Sequence, residues 1–161
     1  LRNIVDLIKS SKIGIHDLSR NKSKNAGEFS RFNLPFELGL DMGSKIFGGS
    51  VFLNKKIIVL DHSPHDYDSY LGDLSGQDII TYQGDPRTLM NEIRNWFTRA
   101  YQLKLFPGTD SIWRSYTQFR EDNKNKLKSS WSEEDVENMQ MSEYRKYAIE
   151  WIQLKEKEDR I

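Results

Sequence analysis

One acid, Glu37, is set among the apolar side chains of Phe32, Phe36, Leu38 and Leu40. Burying an unpaired carboxylate is costly, so an acid in such a run pairs with a cation, faces water at a helix rim, or does chemistry. Beside a bound sugar, a carboxylate stabilises or attacks the oxocarbenium-like centre that forms as a glycosidic bond breaks. Glu37 is therefore the candidate catalytic residue.

Polar side chains also end two stretches that have the composition of strands. Asp17, Ser19 and Arg20 lie at the end of KIGIHDLSR, and Asp61 ends KKIIVLD, whose β-branched centre is typical of a buried parallel strand. In open α/β sheets, ligands bind outside the carboxyl ends of the strands. If the two strands pair, we expect these four side chains to be neighbours in a substrate-binding site.

The helix that carries Glu37 is expected to start over the same edge. Asn33 is a candidate cap, and Pro35 is tolerated in a first helical turn. A carboxylate, a hydroxyl and an aromatic wall such as Phe32 can together bind a ribose and stack a base or nicotinamide. We therefore add Phe32 and Asn33 to the predicted substrate-binding residues.

A plainer interpretation stays open for each of these residues. Asp17 and Ser19 are also ordinary turn formers at a strand end. Glu37 could simply form a salt bridge with Arg31 or Arg20. The three histidines of the chain do not have the spacing of a metal site, so no metal is predicted.

Composition limits the class of protein. The 161 residues carry 24 basic and 24 acidic side chains, and a net charge of zero argues against general nucleic-acid binding. Cysteine is absent, which excludes disulfides, thiolate metal sites and a cysteine nucleophile. With no apolar run long enough for a membrane helix, we expect a soluble, cytoplasmic protein without a membrane partner.

Apolar periodicity predicts alternating helices and strands, and then helices alone. Residues 1–106 are expected to form an α/β domain, and residues 107–161 a helical C-terminal extension packed on it. On the helix after Asn33, Leu34, Leu38 and Met42 step by four residues and are expected to be its buried stripe. Further along, Asp85-Pro86 predicts the start of another helix.

The motifs SKIGIHDLSR, RFNLPFELGLDMG and KKIIVLD resemble bacterial TIR-type domains and the related nucleoside deoxyribosyltransferase-like proteins. Both groups have a flavodoxin-like fold, in which a Ser- or Asp-bearing strand end precedes a helix with the active-site Glu in an E-L-G-like motif. The resemblance implies that Glu37 is the catalytic glutamate, with Ser19 and its neighbour Asp17 on the facing strand end. Such domains begin with a further strand and helix, so we expect a flavodoxin-like sheet without that N-terminal pair.

The resemblance also implies an activity. TIR enzymes are hydrolases that cleave the N-glycosidic bond between nicotinamide and ribose in NAD, giving ADP-ribose or cyclic products, and bacterial members commonly act in antiphage defence. NAD would then be a substrate rather than a cofactor, and a second copy or a defence-system protein would be the partner. The alternatives are a non-catalytic nucleotide-sensing or TIR-like assembly module, and a structural protein whose helical tail docks a partner.

Overall fold

The computed structural model describes residues 1–19, 33–64, 71 and 79–158. The chain divides into two compact units, Leu1–Leu105 and Phe106–Ile161. The expectation that the helical C-terminal part packs on the α/β part stays a prediction.

A parallel sheet organises the first unit. Its elements are α1 Arg2–Ser10, β1 Ile13–Asp17, α2 Asn33–Phe47, a 3-10 helix Ser50–Phe52, β2 Lys56–Asp61, β3 Ile79–Thr81 and α3 Pro86–Tyr101. The described strands pair in parallel, in the order β1-β2-β3. Parallel neighbours need a crossover connection, which α2 supplies between β1 and β2. The predicted α/β class with a parallel sheet is confirmed.

One face of the sheet packs against α2. Leu18, Leu38 and Val59 are each 1% exposed and form the centre of this layer. Leu34 and Met42 pack around them. The predicted apolar stripe of α2, whose members are four residues apart, is therefore confirmed as the face that α2 buries.

The opposite face carries a second apolar cluster. It contains Ile58, Leu60, Ile80 and Trp96, with side chains of α3 packed around them. Because successive strand residues point to opposite faces, Ile58 and Leu60 contact this layer while Val59 contacts the first. Both faces of β2 are covered, as the continuous apolar run in its sequence indicates.

Helix α3 begins where the sequence predicts. Asp85 is its N-cap, and its Oδ2 accepts a hydrogen bond of 2.7 Å from the backbone N–H of Thr88, while Pro86 takes the first helical position. The hydrogen bonds from Thr88 lower the pKa of Asp85. Local sequence is sufficient to set this boundary, because a cap needs only residues three apart.

Helix α2 extends further than the sequence indicates. The glycine-rich composition of the stretch GSKIFGGS is typical of a linker, but residues 43–47 are helical and the chain leaves the helix only at Gly48 and Gly49. Gly49 has φ of 77°, a left-handed conformation that favours glycine. The single Gly43 costs the helix about 1 kcal/mol, which the packing of Leu38 and Met42 offsets.

The second unit is helical. It consists of α4 Thr109–Leu127, α5 Glu133–Glu137 and α6 Met141–Glu158. Phe119 of α4 contacts the rings of Tyr144 and Trp151 of α6, at centroid distances of 5.3 and 5.9 Å. This aromatic contact joins the two long helices.

The polar composition of residues 121–130, EDNKNKLKSS, is typical of a solvated hinge, but most of this stretch is helical. Its first seven residues continue α4, with Asn123 and Leu127 buried. Asp122 accepts a hydrogen bond of 2.8 Å from the indole nitrogen of Trp151. Lysine and glutamate are good helix formers, so a charged composition alone does not indicate an unstructured connection.

Candidate functional site

Three polar side chains meet at the carboxyl edge of the sheet. Asp17 ends β1, and its Oδ1 accepts a hydrogen bond of 3.0 Å from the backbone N–H of Ser19. The hydroxyl oxygen of Tyr82 lies 3.1 Å from Asp17 Oδ2 and 2.8 Å from Ser19 Oγ. Tyr82 directly follows β3, so its side chain reaches past the end of the central strand. We call Asp17, Ser19 and Tyr82 the edge cluster.

Tyr82 was not among the predicted site residues. The run Ile79-Ile80-Thr81-Tyr82 is typical of a short strand, whereas β3 ends at Thr81 and Tyr82 follows it. A sequence signal for Tyr82 does exist, namely its position directly after a strand. Asp17 and Asp61 are each the last residue of a strand, so all three residues lie at strand ends. Carboxyl ends of parallel strands share one edge, so a polar aromatic residue at that position belongs with the other strand-end side chains.

Asp61 does not join the edge cluster. Asp17 pairs with Leu60, and Asp61 pairs with Thr81, so the two aspartates are offset by one residue in register. A one-residue offset sends side chains to opposite faces of a sheet. Asp61 is 2% exposed, and its Oδ1 accepts a hydrogen bond of 2.7 Å from the backbone N–H of His62. Asp17 therefore lies on the face that packs against α3 and Asp61 on the face that packs against α2, and the expectation that both aspartates line one shared cleft stays a prediction.

The direction of α2 places Glu37 toward the carboxyl edge. Leu38 packs against Leu18, which follows β1, whereas Asp41 lies against Gly14, near the start of β1. Helix α2 thus runs antiparallel to β1, and the residues before Leu38 lie toward the edge. Glu37 is half-buried, and no hydrogen bond or ion pair joins its carboxylate to another described residue.

Other predicted residues lie around Glu37 or outside the described ranges. Asn33 is exposed and is the first residue of α2, rather than the residue before it. Phe36 is 55% exposed, so it is not a core residue and can contact a ligand. Arg20 and Phe32 lie outside the described residues, as does Arg31, so neither arginine proposed to pair with Glu37 is described.

A buried ion network lies one helical turn below Glu37. Asp41 is 2% exposed, and its Oδ2 accepts a hydrogen bond of 2.9 Å from Nε2 of His16. The ammonium of Lys55 lies 2.6 Å from Asp41 Oδ1, as a charge contact outside good hydrogen-bond angles. Lys55 also donates a hydrogen bond of 2.7 Å to the carbonyl of Ile8, in α1. The network therefore connects α1, β1, α2 and the residue before β2.

Two opposing effects act on the pKa of Asp41 in this network, namely burial and the neighbouring basic side chains. Burial by itself raises the pKa, because desolvation favours the neutral acid. The short contacts that Asp41 makes with the basic side chains of His16 and Lys55, together with their charges, outweigh burial and hold the pKa below its ordinary value of 3.8. Asp41 is therefore an anion at neutral pH, held by two basic side chains.

The sequence interpretation missed this network, although α2 carries a signal for it. Leu34, Leu38, Asp41 and Met42 have the spacing i, i+4, i+7 and i+8, which is that of one buried helix face. A carboxylate at such a position requires a partner. Which partner it finds depends on residues 25 positions before it and 14 after it, and local sequence does not reveal them.

Gly14 is required by the same network, and we expect Gly14→Ala to destabilise the first unit. A Cβ at this position would overlap Oδ2 of Asp41, and it would lie 3.1 Å from Nε2 of His16. Overpacking of this kind costs about 1–3 kcal/mol. The measurement is the free energy of opening of the β2 amides by hydrogen exchange.

Gly43→Ala is the matched control, because a Cβ there meets nothing within 4 Å. Replacing a glycine inside a helix is expected to stabilise it by about 0.5–1 kcal/mol. Equal effects of the two substitutions would contradict the assignment of Gly14 as a packing requirement.

Other parts of the described chain are weaker candidates for a site. Within residues 1–19, 33–64, 71 and 79–158, no three His, Asp or Glu side chains are grouped so that they could hold a metal ion. A surface pocket of about 220 Å³ lies in the second unit and includes Asp122 and Trp151. Its Lys126 and Glu150 already pair with each other at 3.1 Å. The edge cluster and Glu37 therefore remain the candidate site.

Comparisons of the chain with protein-family models, curated proteins and solved structures find no match. Among the described helices, none combines the length and the apolarity that crossing a bilayer requires. Any function assigned to the chain thus rests on the geometry of its own residues.

Proposed function

We propose that this protein binds a nucleotide at the carboxyl edge of its parallel sheet and cleaves the N-glycosidic bond of NAD or a related nucleotide. The observation that carries the proposal is the edge cluster, in which a carboxylate and two hydroxyl groups lie within hydrogen-bond distance of one another. Open α/β sheets bind their ligands at this edge. Glu37 is the carboxylate proposed to act on the sugar.

The order of the strands supports a flavodoxin-like, TIR-like assignment as part of this proposal. In the flavodoxin-like order 2-1-3-4-5, the last three strands are neighbours in chain order, as β1, β2 and β3 are here. The ligand crevice of that fold lies beside the first strand of those three. Asp17 and Ser19 lie at the carboxyl end of β1, which is the corresponding position.

The proposed chemistry requires a carboxylate next to the sugar. When NAD is cleaved, the bond between C1′ of the ribose and the nicotinamide nitrogen breaks, and its electron pair leaves with the nitrogen. Positive charge then develops on the ribose, where the Glu37 carboxylate stabilises it or attacks C1′. Water adds a hydroxyl to C1′ and releases a proton, giving ADP-ribose. The exposed ring of Phe36 is available to stack on a base or on nicotinamide.

We expect the purified protein to convert NAD into nicotinamide and ADP-ribose or a cyclic product. The measurement is product analysis by chromatography after incubation with NAD, over a range of protein concentrations, because TIR-like activity would depend on assembly. Titration with NAD and ADP-ribose in a calorimeter accompanies it. Unchanged NAD at every protein concentration, together with no heat of binding, would contradict the proposal.

A non-catalytic nucleotide-sensing or TIR-like assembly module is the second candidate. It is favoured by apolar side chains near the end of α2 and in the turn after it: Ile46, Phe47, Val51 and Leu53 are between 66% and 86% exposed. Exposed apolar groups close together in a chain are typical of interaction surfaces. Nucleotide binding or self-association without any product in the same experiment would favour this candidate over the enzyme.

A further inference from the structure

We infer that α6 pairs with α6 of a second copy of this chain, in antiparallel orientation, through one exposed face of the helix. Four residues define this face, which we call the pairing face: Arg145, Ile149, Ile152 and Glu156. The partner follows from the chemistry of the face, which is complementary to itself. The inference concerns the second unit and does not depend on the proposed function.

The pairing face lies beside the part of α6 that contacts α4. Its four members have the spacing i, i+4, i+7 and i+11, which places them along one side of an α-helix. The rings of Tyr144 and Trp151 contact Phe119 of α4. Arg145 and Ile152 each follow one of these aromatic residues, and one residue turns a helix by about 100°. The contact with α4 therefore leaves the pairing face uncovered.

The pairing face has an apolar centre and two charged ends. Ile149 and Ile152, at the centre, are 43% and 50% exposed. Arg145 and Glu156, at the ends, are exposed, and neither forms a hydrogen bond or an ion pair with another described residue. An apolar centre with a polar rim is the arrangement of a protein–protein interface.

The order of these residues makes the face complementary to itself. Arg145 lies as far before the midpoint of the face as Glu156 lies after it, and the two isoleucines are equally far from that midpoint. A twofold axis through the midpoint brings Arg145 of each copy to Glu156 of the other copy. The same axis brings Ile149 of each copy to Ile152 of the other. Two equal ion pairs then border one apolar contact.

The charges also select the orientation of the two helices. A parallel pair would place Arg145 beside Arg145 of the other copy, and Glu156 beside Glu156, and like charges at an interface disfavour association. The net charge of the chain is zero, so two copies do not repel each other overall. One helix face buries a small area, and we therefore expect a weak dimer whose population rises with concentration.

The experiment measures the mass of the full chain by sedimentation equilibrium over a range of protein concentrations. The wild-type protein is expected to shift from monomer to dimer as its concentration rises. Arg145→Glu and Glu156→Arg each place like charges at both ends of the interface, so each should raise the dimer Kd by about tenfold or more. Lys146→Glu is the matched control, because Lys146 is exposed on α6 but lies outside the pairing face. It should keep the wild-type Kd.

An equimolar mixture of the two charge-reversed proteins tests the antiparallel geometry. In a mixed dimer, both glutamates of the Arg145→Glu chain meet both arginines of the Glu156→Arg chain, so opposite charges face each other again at both ends. We expect the mixture to dimerise with about the wild-type Kd, although neither variant does so alone. This recovery would also show that the single variants lost dimerisation through charge and not through misfolding.

Three outcomes would overturn the inference. The first is a wild-type protein that stays monomeric at every concentration. The second is a dimer that keeps its Kd in Arg145→Glu and Glu156→Arg but weakens in Phe47→Ser, which would place the interface at the exposed apolar side chains near the end of α2. The third is a mixture of the two variants that does not recover the dimer. Each result is a mass, so none of them decides whether the protein cleaves NAD.

Discussion

Replacing Lys55 by Met is expected to destabilise the α/β unit by about 3–5 kcal/mol, which is typical of breaking a buried ion pair from one side. The Lys55 and Asp41 side chains are each 2% exposed, with 2.6 Å between Nζ and Oδ1. Without the ammonium group, the Asp41 carboxylate keeps only His16 as a basic partner among the described residues. The carbonyl of Ile8 also loses the hydrogen bond it accepts from Lys55.

Hydrogen exchange of the β2 amides measures this effect in the first unit alone. Lys56→Met is the matched control, because Lys56 is the next residue and is exposed. Its substitution is expected to change stability by less than about 0.5 kcal/mol. Replacing both partners, as in Asp41→Leu with Lys55→Met, should recover much of the loss, because no unpaired charge remains buried. A Lys55→Met protein as stable as the Lys56→Met protein would show that the network does not stabilise the fold.

The network also gives stability a dependence on pH. The pKa of Asp41 is lower in the folded protein than its ordinary value of 3.8, which approximates the unfolded chain. The folded state therefore binds fewer protons at this site, and stability from Asp41 is fully present above about pH 4. It is lost as pH falls through the lower, folded pKa. In Asp41→Asn this part of the acid destabilisation should be absent.

Glu37→Gln is expected to slow NAD cleavage by about 10²–10⁴-fold, the range typical of a carboxyl group that acts directly in the reaction. The amide keeps the shape of the side chain but carries no negative charge to stabilise the sugar. Glu37 has no polar partner among the described residues, so its substitution should leave the stability of β2 unchanged. The measurement is the rate of nicotinamide release under single-turnover conditions.

Glu92→Gln on α3 is the matched control for Glu37→Gln. It makes the same chemical change on the helix that packs against the other face of the sheet, and it should keep the wild-type rate. Normal turnover by Glu37→Gln would end the catalytic assignment of Glu37. A loss of activity together with faster exchange of the β2 amides would instead show that Glu37 stabilises the fold.

Much of the fold of the first unit could be predicted because its signals are local. The capped start of α3 depends on residues three apart, and the stripe of α2 depends on one helical periodicity. The β-branched centre of β2 indicates a strand that is covered on both faces, as it is. Amino-acid composition alone gives the wrong conformation in two places. The glycines near the end of α2 and the charged residues 121–127 of α4 are typical of connecting segments, yet Gly43 and residues 121–127 are helical.

The candidate site could be predicted only in part. The sequence by itself determined which edge of the sheet carries Asp17 and Ser19, and that Glu37 lies on the helix that starts near it. Only the tertiary structure decided that Asp61 lies on the other face and that Tyr82 completes the edge cluster. It also decided that Asp41 has buried partners. The physical reason is that strand register and ion pairing are set by contacts between distant residues, and a shift of one residue in register turns every side chain to the opposite face.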